Sequence, residues 1–243
     1  MTPDRSRRLP AYGFDIETDT AENGLDPASS RITAVGVAGR GWAQVFAGPE
    51  HRLLTDVDRF LARLPTGHLV SWNGAAFDFP FLHDRAAVAG VPLGLRIEPD
   101  AHLLLTHQPL AGHHLAYRVR WWGHGHIDAY LELRSTAHRV GSSGRLKAFA
   151  ALNGIGCVEH DYERLAELTP QGLAAYVASD AAAALVLADR YGLTGSLLGS
   201  DPPPGPGPRV SPSPGPVAGA PPVPAGPPGR AGTAPGPRGR PAA

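Results

Sequence analysis

The fold is decided by residues 11–47, which read AYGFDIETDTAENGLDPASSRITAVGVAGRGWAQVFA. The apolar runs of this stretch predict three consecutive strands, at residues 11–16, 31–38 and 41–47. Gly39 and Arg40 lie between the second and third of these strands and predict a hairpin turn. The domain therefore opens with three strands in a row.

After residue 47 the sequence alternates between helical and strand patterns. Apolar residues recur with helical spacing over residues 51–64 and 79–89, and residues 69–72 between them predict a short strand. An order of three strands, helix, strand and helix is typical of the α/β class. We therefore predict a mixed β-sheet flanked by helices.

The second half of the domain is less regular. Three helices are predicted there, at residues 145–152, 162–168 and 170–191. Histidine, glycine and tryptophan interrupt every period over residues 99–138, so that residues 127–133 fit a strand as well as a helix. The pattern leaves the secondary structure of this middle stretch open.

The C-terminal segment has a composition that opposes folding. Sixteen of the 26 prolines follow Ser200, and almost no large apolar residues accompany them. Such a segment cannot bury enough surface to offset the entropy of ordering it. We therefore expect a folded domain over residues 10–195 and a disordered Pro/Gly-rich tail over residues 196–243. PxxP-like spacings in the tail are compatible with polyproline II, so a protein partner for the tail is an open expectation.

The charge of the folded part is close to neutral. The chain has 22 basic and 22 acidic residues, but four arginines and one aspartate lie in the tail, which leaves 18 basic and 21 acidic residues before Asp201. Proteins that grip long duplexes usually have a basic excess, because counterion release supplies much of their affinity. The net charge of about −3 fits a short strand end as substrate, or a basic stripe hidden in a neutral average.

Cysteine content and hydropathy exclude several classes of protein. Cys157 is the only cysteine, which excludes an intramolecular disulfide and a cysteine-based zinc site. A reducing compartment fits this usage best. No apolar run approaches the roughly 18 residues that span a bilayer, and we expect a cytoplasmic protein without a membrane segment. No P-loop or dinucleotide-binding fingerprint is present.

Asp15 and Glu17 are the first candidate site residues, in FDIETDT at residues 14–20. Alternate residues of a strand point to the same side, so both carboxylates project from one face. Two neighbouring carboxylates repel each other unless a cation lies between them, and hard oxygen ligands select Mg²⁺ or Mn²⁺. The pair by itself also fits an exposed strand end with ordinary surface acids.

Asp78 is the second candidate, in SWNGAAFDFPFLHDR at residues 71–85. It lies where the predicted strand turns into a helix, so it is either a helix N-cap or a ligand. Phe77, Phe79 and Phe81 around this acid suit a cleft that holds bases and sugars. Phe77 beside this acid and Asn73 in the preceding turn are therefore candidate substrate-binding residues.

Tyr176 and Asp180 form the third group, in LAAYVASDAAAAL at residues 173–185. They lie four residues apart in a predicted helix and share a face of it. The neighbouring residues are small or apolar, and a buried carboxylate without a partner is costly. Asp180 therefore needs a metal or another partner; a solvent-facing Asp180 paired with a nearby arginine is the alternative.

Together the three motifs resemble those of the DEDD exonucleases of the ribonuclease H-like superfamily. FDIET is similar to the first motif of that family, NGAAFDFPFL to the second and YVASD to the third. The resemblance covers about residues 10–192 and is strongest to the proofreading domains of family B DNA polymerases and to stand-alone exonucleases like them. It implies four metal-site acids, Asp15, Glu17, Asp78 and Asp180.

The last motif indicates the branch of the family. One branch has a tyrosine four residues before the final aspartate, and the other has a histidine five residues before it. This chain has Tyr176 and Ala175 at those positions, so it resembles the tyrosine branch, DEDDy. An ordinary tyrosine has a pKa of about 10 and is a poor base at neutral pH. Tyr176 is therefore expected to orient the attacking water by hydrogen bonding.

The resemblance implies a metal-dependent 3′–5′ exonuclease that hydrolyses terminal phosphodiester bonds with two divalent cations, Mg²⁺ or Mn²⁺. Asp15 would bridge both cations, and Glu17 and Asp180 would complete the site of the attacking water. Asp78 would hold the second cation, directly or through water. The expected partner is a nucleic acid 3′ end, with single-stranded DNA favoured.

Two other functions stay open from the sequence. One is a non-catalytic nucleic-acid or protein binding module of the same fold, to which the tail contributes contacts. The other is a nuclease of the same fold that prefers RNA or cleaves internally. Retention of all five matching side chains argues against the binding module.

The middle stretch departs from the family pattern. GHIDAYLEL keeps an aspartate, Asp128, but lacks the leucine that often follows it in relatives, so its role is unassigned. A zinc site is an alternative, because His124 and His126 would lie with Asp128 on one face of a strand. The pair Trp121 and Trp122 is expected in the core rather than as a base-stacking platform. GRLKAFAALNGI is also similar to a helical segment of relatives, with no catalytic implication.

Overall fold

The computed structural model describes residues 9–19, 25–104, 110, 112–195 and 209–210. The strands are β1 (Ala11–Thr18), β2 (Ile32–Gly39), β3 (Trp42–Ala47), β4 (His68–Ser71), β5 (Leu95–Leu104), β6 (Leu115–Trp121), β7 (Gly125–Asp128) and β8 (Arg209–Val210). The helices are α1 (Glu50–Arg63), α2 (Asp78–Ala89), α3 (Ala129–Arg139), α4 (Leu146–Leu152), α5 (Pro170–Arg190) and a 3-10 helix (Tyr162–Glu167).

A six-stranded mixed sheet lies at the centre of the fold, with strand order β7-β4-β1-β2-β3-β8. β2 is antiparallel to both β1 and β3, whereas β1, β4 and β7 are parallel to one another. β5 and β6 form a separate antiparallel pair. The predicted α/β class, a mixed sheet flanked by helices, is confirmed.

The predicted tail, residues 196–243, lies outside the described residues except for Arg209–Val210. These two residues form β8, which is parallel to β3 at the edge of the sheet. They belong to the unit Met1–Ser211. The domain boundary at residue 195 and the disorder of the tail stay predictions.

The side chains of β1 alternate between the two faces of the sheet. Tyr12, Phe14 and Ile16 are buried in an apolar core with residues of α1 and α2. Asp15 and Glu17 therefore project from the opposite face, which α5 covers. The alternation predicted from the sequence thus brings both carboxylates to the α5 side.

Two glycines allow α5 to lie close to the sheet. A Cβ at Gly13 would overlap the carbonyl oxygen of Ala181, and a Cβ at Gly36 would lie 2.7 Å from the carbonyl oxygen of Val177. Gly36 is also the cross-strand neighbour of Asp15. Larger residues at either glycine would push the helix away from the candidate site.

α5 begins as predicted and packs on β1, β2 and β3. Oγ1 of Thr169 accepts a hydrogen bond from the N–H of Gly172 at 3.1 Å, which caps the helix. Contrary to the expectation that no such segment exists, α5 is long and apolar enough to cross a membrane by length and composition, with a mean hydropathy of 1.4. Most of it is buried inside the protein, and packing on the sheet explains its composition.

The middle stretch forms β5, β6, β7 and α3. Residues 127–133 contain both alternatives, because β7 ends at Asp128 and α3 begins at Ala129. The change of period inside this window explains why neither pattern matched alone. Trp121 is fully buried, as predicted, whereas Trp122 is half exposed. Residues 162–168, predicted as a helix, contain the 3-10 helix.

Candidate metal centre

Three carboxylates from two elements converge where α5 crosses β1. Asp15 and Glu17 come from β1 and Asp180 from α5, and one oxygen of each lies within 4.8 Å of the others. Within the part of the chain that the structure describes, this is the only such group of three or more histidine, cysteine or acidic side chains. Asp180 is buried, so the alternative of a solvent-facing Asp180 paired with arginine is wrong.

Asp78 lies with these carboxylates in one cleft of about 470 Å³. It is the first residue of α2, and the N-cap is Phe77, so the alternative that Asp78 caps the helix is wrong. Oδ1 of Asp78 accepts a hydrogen bond from the backbone N–H of Ile16 at 3.3 Å, which ties the start of α2 to β1. A Cβ at Gly74 would overlap Oγ of Ser71 and would lie 2.9 Å from Oδ2 of Asp78, so the loop requires glycine here.

Burial and mutual repulsion raise the pKa of these carboxyl groups. The pKa of Asp15 lies well above its ordinary value because the group is buried and faces the three other acids. Burial and the charge of Asp180 raise the pKa of Glu17 to about 8. Burial raises the pKa of Asp78 to about 7, although two backbone N–H groups oppose the shift. Burial raises the pKa of Asp180 to about 6, and Lys147 opposes this shift.

The donor set fits a divalent cation. Oδ1 of Asp180 is buried and has no hydrogen-bond partner among the described residues. A buried, unpaired carboxylate oxygen next to other carboxylates is costly unless a cation compensates the charge. Oxygen-only ligands of this kind suit Mg²⁺ or Mn²⁺ rather than softer metals.

Lys147, the only lysine of the chain, also lies at this site. Its Nζ lies 3.3 Å from Oδ2 of Asp180 and 3.3 Å from the centre of the Tyr176 ring. The same nitrogen donates a hydrogen bond to the carbonyl oxygen of Val158 at 2.7 Å. The family resemblance assigned no role to the segment that carries Lys147. The one available sequence signal was its uniqueness among 22 basic residues.

Tyr176 lies one helical turn before Asp180, and its ring is buried beneath Lys147. Its side chain lines the cleft, and its hydroxyl has no hydrogen-bond partner among the described residues. Burial and the charges of Glu17 and Asp180 raise the pKa of Tyr176 above its ordinary value. The hydroxyl therefore stays protonated at neutral pH and is able to donate a hydrogen bond into the cleft.

Asn73 and Phe77, the candidate substrate-binding residues, line the same cleft. Asn73 has a φ of 70°, a left-handed conformation that asparagine tolerates better than most residues. Phe77 is half-buried, and its ring centroid lies 5.5 Å from that of Phe81. Phe79 and Phe81 are fully buried in the core, so the expectation that they also line the cleft is wrong. Trp72 and Tyr130 add aromatic surface to the cleft, with ring centroids 5.7 Å apart. Neither of these two was identified from the sequence, although Trp72 directly follows β4.

Comparison with known proteins identifies the family. The RNase_H superfamily profile matches residues 13–161, more than half of the chain. The chain belongs to the RNase_H superfamily. The matched range includes Asp15, Glu17, Asp78 and Lys147 and ends before α5. A search of curated proteins found no match.

A solved structure shows the same fold as this RNase_H superfamily member. It is the structure of the family B DNA polymerase from the hyperthermophilic archaeon Pyrobaculum calidifontis, with a TM-score of 0.59 and 21% sequence identity. The match covers 75% of this chain and 24% of the polymerase chain, so this chain spans about a quarter of the polymerase. The likeness supports the ribonuclease H-like fold that the motifs implied.

Asp128 connects two segments of this RNase_H superfamily member. Its carboxylate accepts hydrogen bonds from the backbone N–H groups of Asn73 at 3.0 Å and Ala75 at 2.9 Å, in the loop before α2. It also accepts from Tyr130 at 3.0 Å and Leu131 at 3.2 Å, in the first turn of α3. Burial raises the pKa of Asp128 to about 6, against the opposing effect of these four donors. Asp128 therefore holds the loop that leads to the candidate metal centre.

The histidines of this RNase_H superfamily member do not form the zinc site considered as an alternative. Nδ1 of His124 accepts a hydrogen bond from the N–H of Gly67 at 3.1 Å, and Nε2 lies 3.0 Å from the carbonyl oxygen of Leu61. Nε2 of His126 lies 2.8 Å from Oγ of Ser71, and burial lowers the pKa of His126 to about 3. The zinc interpretation is wrong because the fold already supplies partners for these side chains.

Proposed function

We propose that this chain is a metal-dependent 3′–5′ exonuclease of the DEDD type, tyrosine branch. The observation that carries the proposal is the convergence of Asp15, Glu17 and Asp180 within 4.8 Å, with Asp78 in the same cleft. Buried carboxylates that repel one another reduce the stability of the fold. Their presence in one cleft of an RNase_H superfamily member therefore supports metal-dependent nuclease chemistry over a purely structural role.

Two divalent cations would supply the Lewis acidity that lowers the pKa of the attacking water and stabilises the attacking and leaving oxygens. Asp15, Glu17 and Asp180 would hold one of them. Asp78, together with Asp15, would hold the second. Asp15 is the natural shared ligand because it faces all three other acids.

The remaining cleft residues would position the reactants. The protonated hydroxyl of Tyr176 would hydrogen bond to the attacking water and fix its direction. Lys147 would hold the carboxylate of Asp180 in place and balance part of its charge. Asn73 and Phe77 would hold the terminal nucleotide. A cleft of about 470 Å³ is large enough for a nucleotide-sized ligand.

The substrate that fits this cleft best is a single-stranded 3′ end, with DNA favoured. Trp72, Phe77 and Tyr130 present aromatic surface at the cleft. Unpaired bases stack on such side chains, each at roughly 1–3 kcal/mol, without strong sequence preference. A paired end would have to fray before its terminal base reached this surface.

Hydrolysis of labelled oligonucleotides tests the proposal. With Mg²⁺ or Mn²⁺, a 5′-labelled single-stranded DNA should yield a ladder that shortens stepwise, and EDTA should stop it. A circular single strand should survive, since it has no end; its cleavage would instead indicate internal cutting. Degradation of RNA in preference to DNA would replace the substrate assignment. If the wild-type protein binds the strand but hydrolyses it no faster than an Asp15→Asn variant does, the non-catalytic binding module is supported.

A further inference from the structure

We propose that a second groove, beside the metal centre, binds the phosphodiester backbone of the substrate strand through Arg96 and Arg120. This inference rests on the proposed exonuclease function and adds the surface that holds the strand away from its 3′ end. The groove has a volume of about 630 Å³ and is lined by residues of β5, β6, β7 and the start of α3. We refer to it below as the arginine groove.

The two arginines face each other across the β5–β6 pair. Arg96 and Arg120 are direct cross-strand partners, and both are exposed. Neither makes an ion pair with any described residue. Like charges directly opposite each other destabilise an antiparallel pair, and no described carboxylate forms an ion pair with either guanidinium group. Two adjacent, unpaired guanidinium groups therefore point to an anionic ligand, and their planar forks suit phosphate oxygens.

Other charged groups in the arginine groove indicate which class of anionic ligand it binds. Arg118 is exposed as well, and its Nε lies 2.9 Å from Oδ2 of Asp100. Glu98 and Glu132 also line the groove, so its surface is of mixed charge. A ligand with discrete charges and its own hydrogen-bonding groups fits such a surface better than a uniformly acidic protein face. A polynucleotide strand has both properties.

The arginine groove and the metal-site cleft share the loop before α2. Ala75 lines the groove, whereas Asn73 and Phe77 line the cleft. The N–H of Tyr117 on β6 donates a hydrogen bond to the carbonyl oxygen of Ala75 at 2.9 Å. The strand that carries Arg120 is therefore attached directly to a wall of the cleft.

The same adjacency exists in α3, where Tyr130 lines the cleft and the next residue, Leu131, lines the groove. A strand whose 3′ end lies in the cleft therefore enters the groove after a short distance. In the proposed function the cleft holds only the terminal nucleotide, so affinity for the rest of the strand has to come from another surface. Of the two interpretations that the net charge left open, this inference selects local basic residues in a neutral average, namely two arginines without ion pairs in a groove of mixed charge.

Binding of single strands to the full chain tests the inference. Fluorescence anisotropy in EDTA, which prevents metal-dependent turnover, compares the wild type with the double variant Arg96→Ser/Arg120→Ser. The matched control is Arg59→Ser/Arg63→Ser, which removes two exposed arginines from α1. The groove variant should bind a 20-nucleotide strand about 10-fold to 100-fold more weakly. The slope of log K against log salt concentration should become less steep by roughly 0.7 for each lost phosphate contact. The control should match the wild type.

Two results would overturn the inference. One is a groove variant that binds the 20-nucleotide strand with the affinity and salt dependence of the control. The other concerns poly-glutamate of equal charge. If the wild type binds it as tightly as the oligonucleotide, and the groove substitutions weaken both affinities equally, the groove is a docking site for acidic protein. The melting temperature of the groove variant should be no lower than that of the control, because a like-charge pair is removed.

A small substrate separates this inference from the proposed function. A p-nitrophenyl ester of a nucleotide occupies only the cleft, so the groove variant should hydrolyse it with Mn²⁺ as fast as the wild type. If the groove variant binds the strand more weakly but neither it nor the wild type hydrolyses the ester, the exonuclease proposal is rejected and strand binding by the groove is retained. If the groove variant hydrolyses the ester normally and binds the strand as tightly as the wild type, strand binding by the groove is rejected and the exonuclease proposal is retained.

Discussion

The ammonium nitrogen of Lys147 lies 3.3 Å from a carboxylate oxygen of Asp180, at the point where three acidic side chains converge. Both side chains are largely buried, with exposed fractions of 17% and 10%. The only lysine of the chain thus provides a cation to the proposed metal site. It offsets only part of the negative charge, because the pKa of Asp180 stays raised in spite of it.

Replacing Lys147 by methionine should destabilise the metal-free protein. The methionine keeps an apolar stem but leaves the charge of Asp180 without its partner, which costs roughly 3 kcal/mol in the free energy of unfolding for a mostly buried pair. Mg²⁺ or Mn²⁺ should recover much of this loss. Urea unfolding with and without the cation measures both effects. Arg164→Met, in an exposed ion pair with Glu167, is the control and should change little; equal losses in the two variants would contradict the prediction.

The stability of the metal-free protein should fall as the pH rises from about 4.5 to about 8. In the folded state the pKa of Glu17 is about 8 and that of Asp78 about 7, against ordinary values of 4.5 and 3.8. The folded state therefore holds protons that the unfolded state has already released, and stability decreases with pH across this window. Divalent cations bind the deprotonated carboxylates, so their stabilising effect should grow over the same range.

Melting temperatures measured at half-unit pH intervals, in EDTA and in Mn²⁺, test this pH dependence. A Glu17→Gln variant in EDTA should have a flatter profile than the wild type, because the group with the pKa of about 8 no longer titrates. A metal-free wild type whose stability rises steadily from pH 5 to pH 8 would show that the carboxyl groups are not buried together as described.

Removing the hydroxyl of Tyr176 should slow hydrolysis without loss of metal binding. Tyr176→Phe keeps the ring beneath Lys147 and deletes only the group proposed to orient water, so single-turnover rates should fall about 10²-fold to 10⁴-fold. Stability should change little, since the hydroxyl has no hydrogen-bond partner among the described residues. Tyr191→Phe is the control, because that hydroxyl bonds to Asn153 at 3.0 Å on the surface. Full turnover in Tyr176→Phe would remove this residue from the site.

Asp128→Asn should weaken metal binding from a distance. The carboxamide has only one acceptor oxygen, and its NH₂ group would face backbone N–H donors that now bond to the carboxylate. We expect a loss of roughly 2 kcal/mol in stability and a weaker Mn²⁺ affinity, because the loop before Asp78 is no longer held. Calorimetric Mn²⁺ titration at a temperature where the variant is folded measures the second effect. Asp26→Asn, which affects a surface turn, should leave affinity unchanged; unchanged affinity in Asp128→Asn would limit that residue to a structural role.

Much of the site was predictable because it depends on local periodicity. The period of two in a strand brings Asp15 and Glu17 to one face, and the spacing of four in a helix brings Tyr176 and Asp180 together. Both relationships hold in any fold that contains these elements, and the α/β pattern itself follows from the order of such periods. The window at residues 127–133 resisted prediction for the same reason, since strand period gives way to helix period at Asp128.

The remaining features were decided by which elements meet in three dimensions. Lys147 comes from α4, and nothing in its neighbouring sequence indicates that it would lie beside Asp180, 33 positions further along the chain. Asp128 reaches Asn73 and Ala75 because β7 lies next to β4, and Arg96 faces Arg120 because of the register of β5 and β6. Local propensity contains no information on such pairings, because they follow from the burial of whole strand and helix faces against one another. The sequence therefore determined which residues could act, and the tertiary structure determined which partners they have.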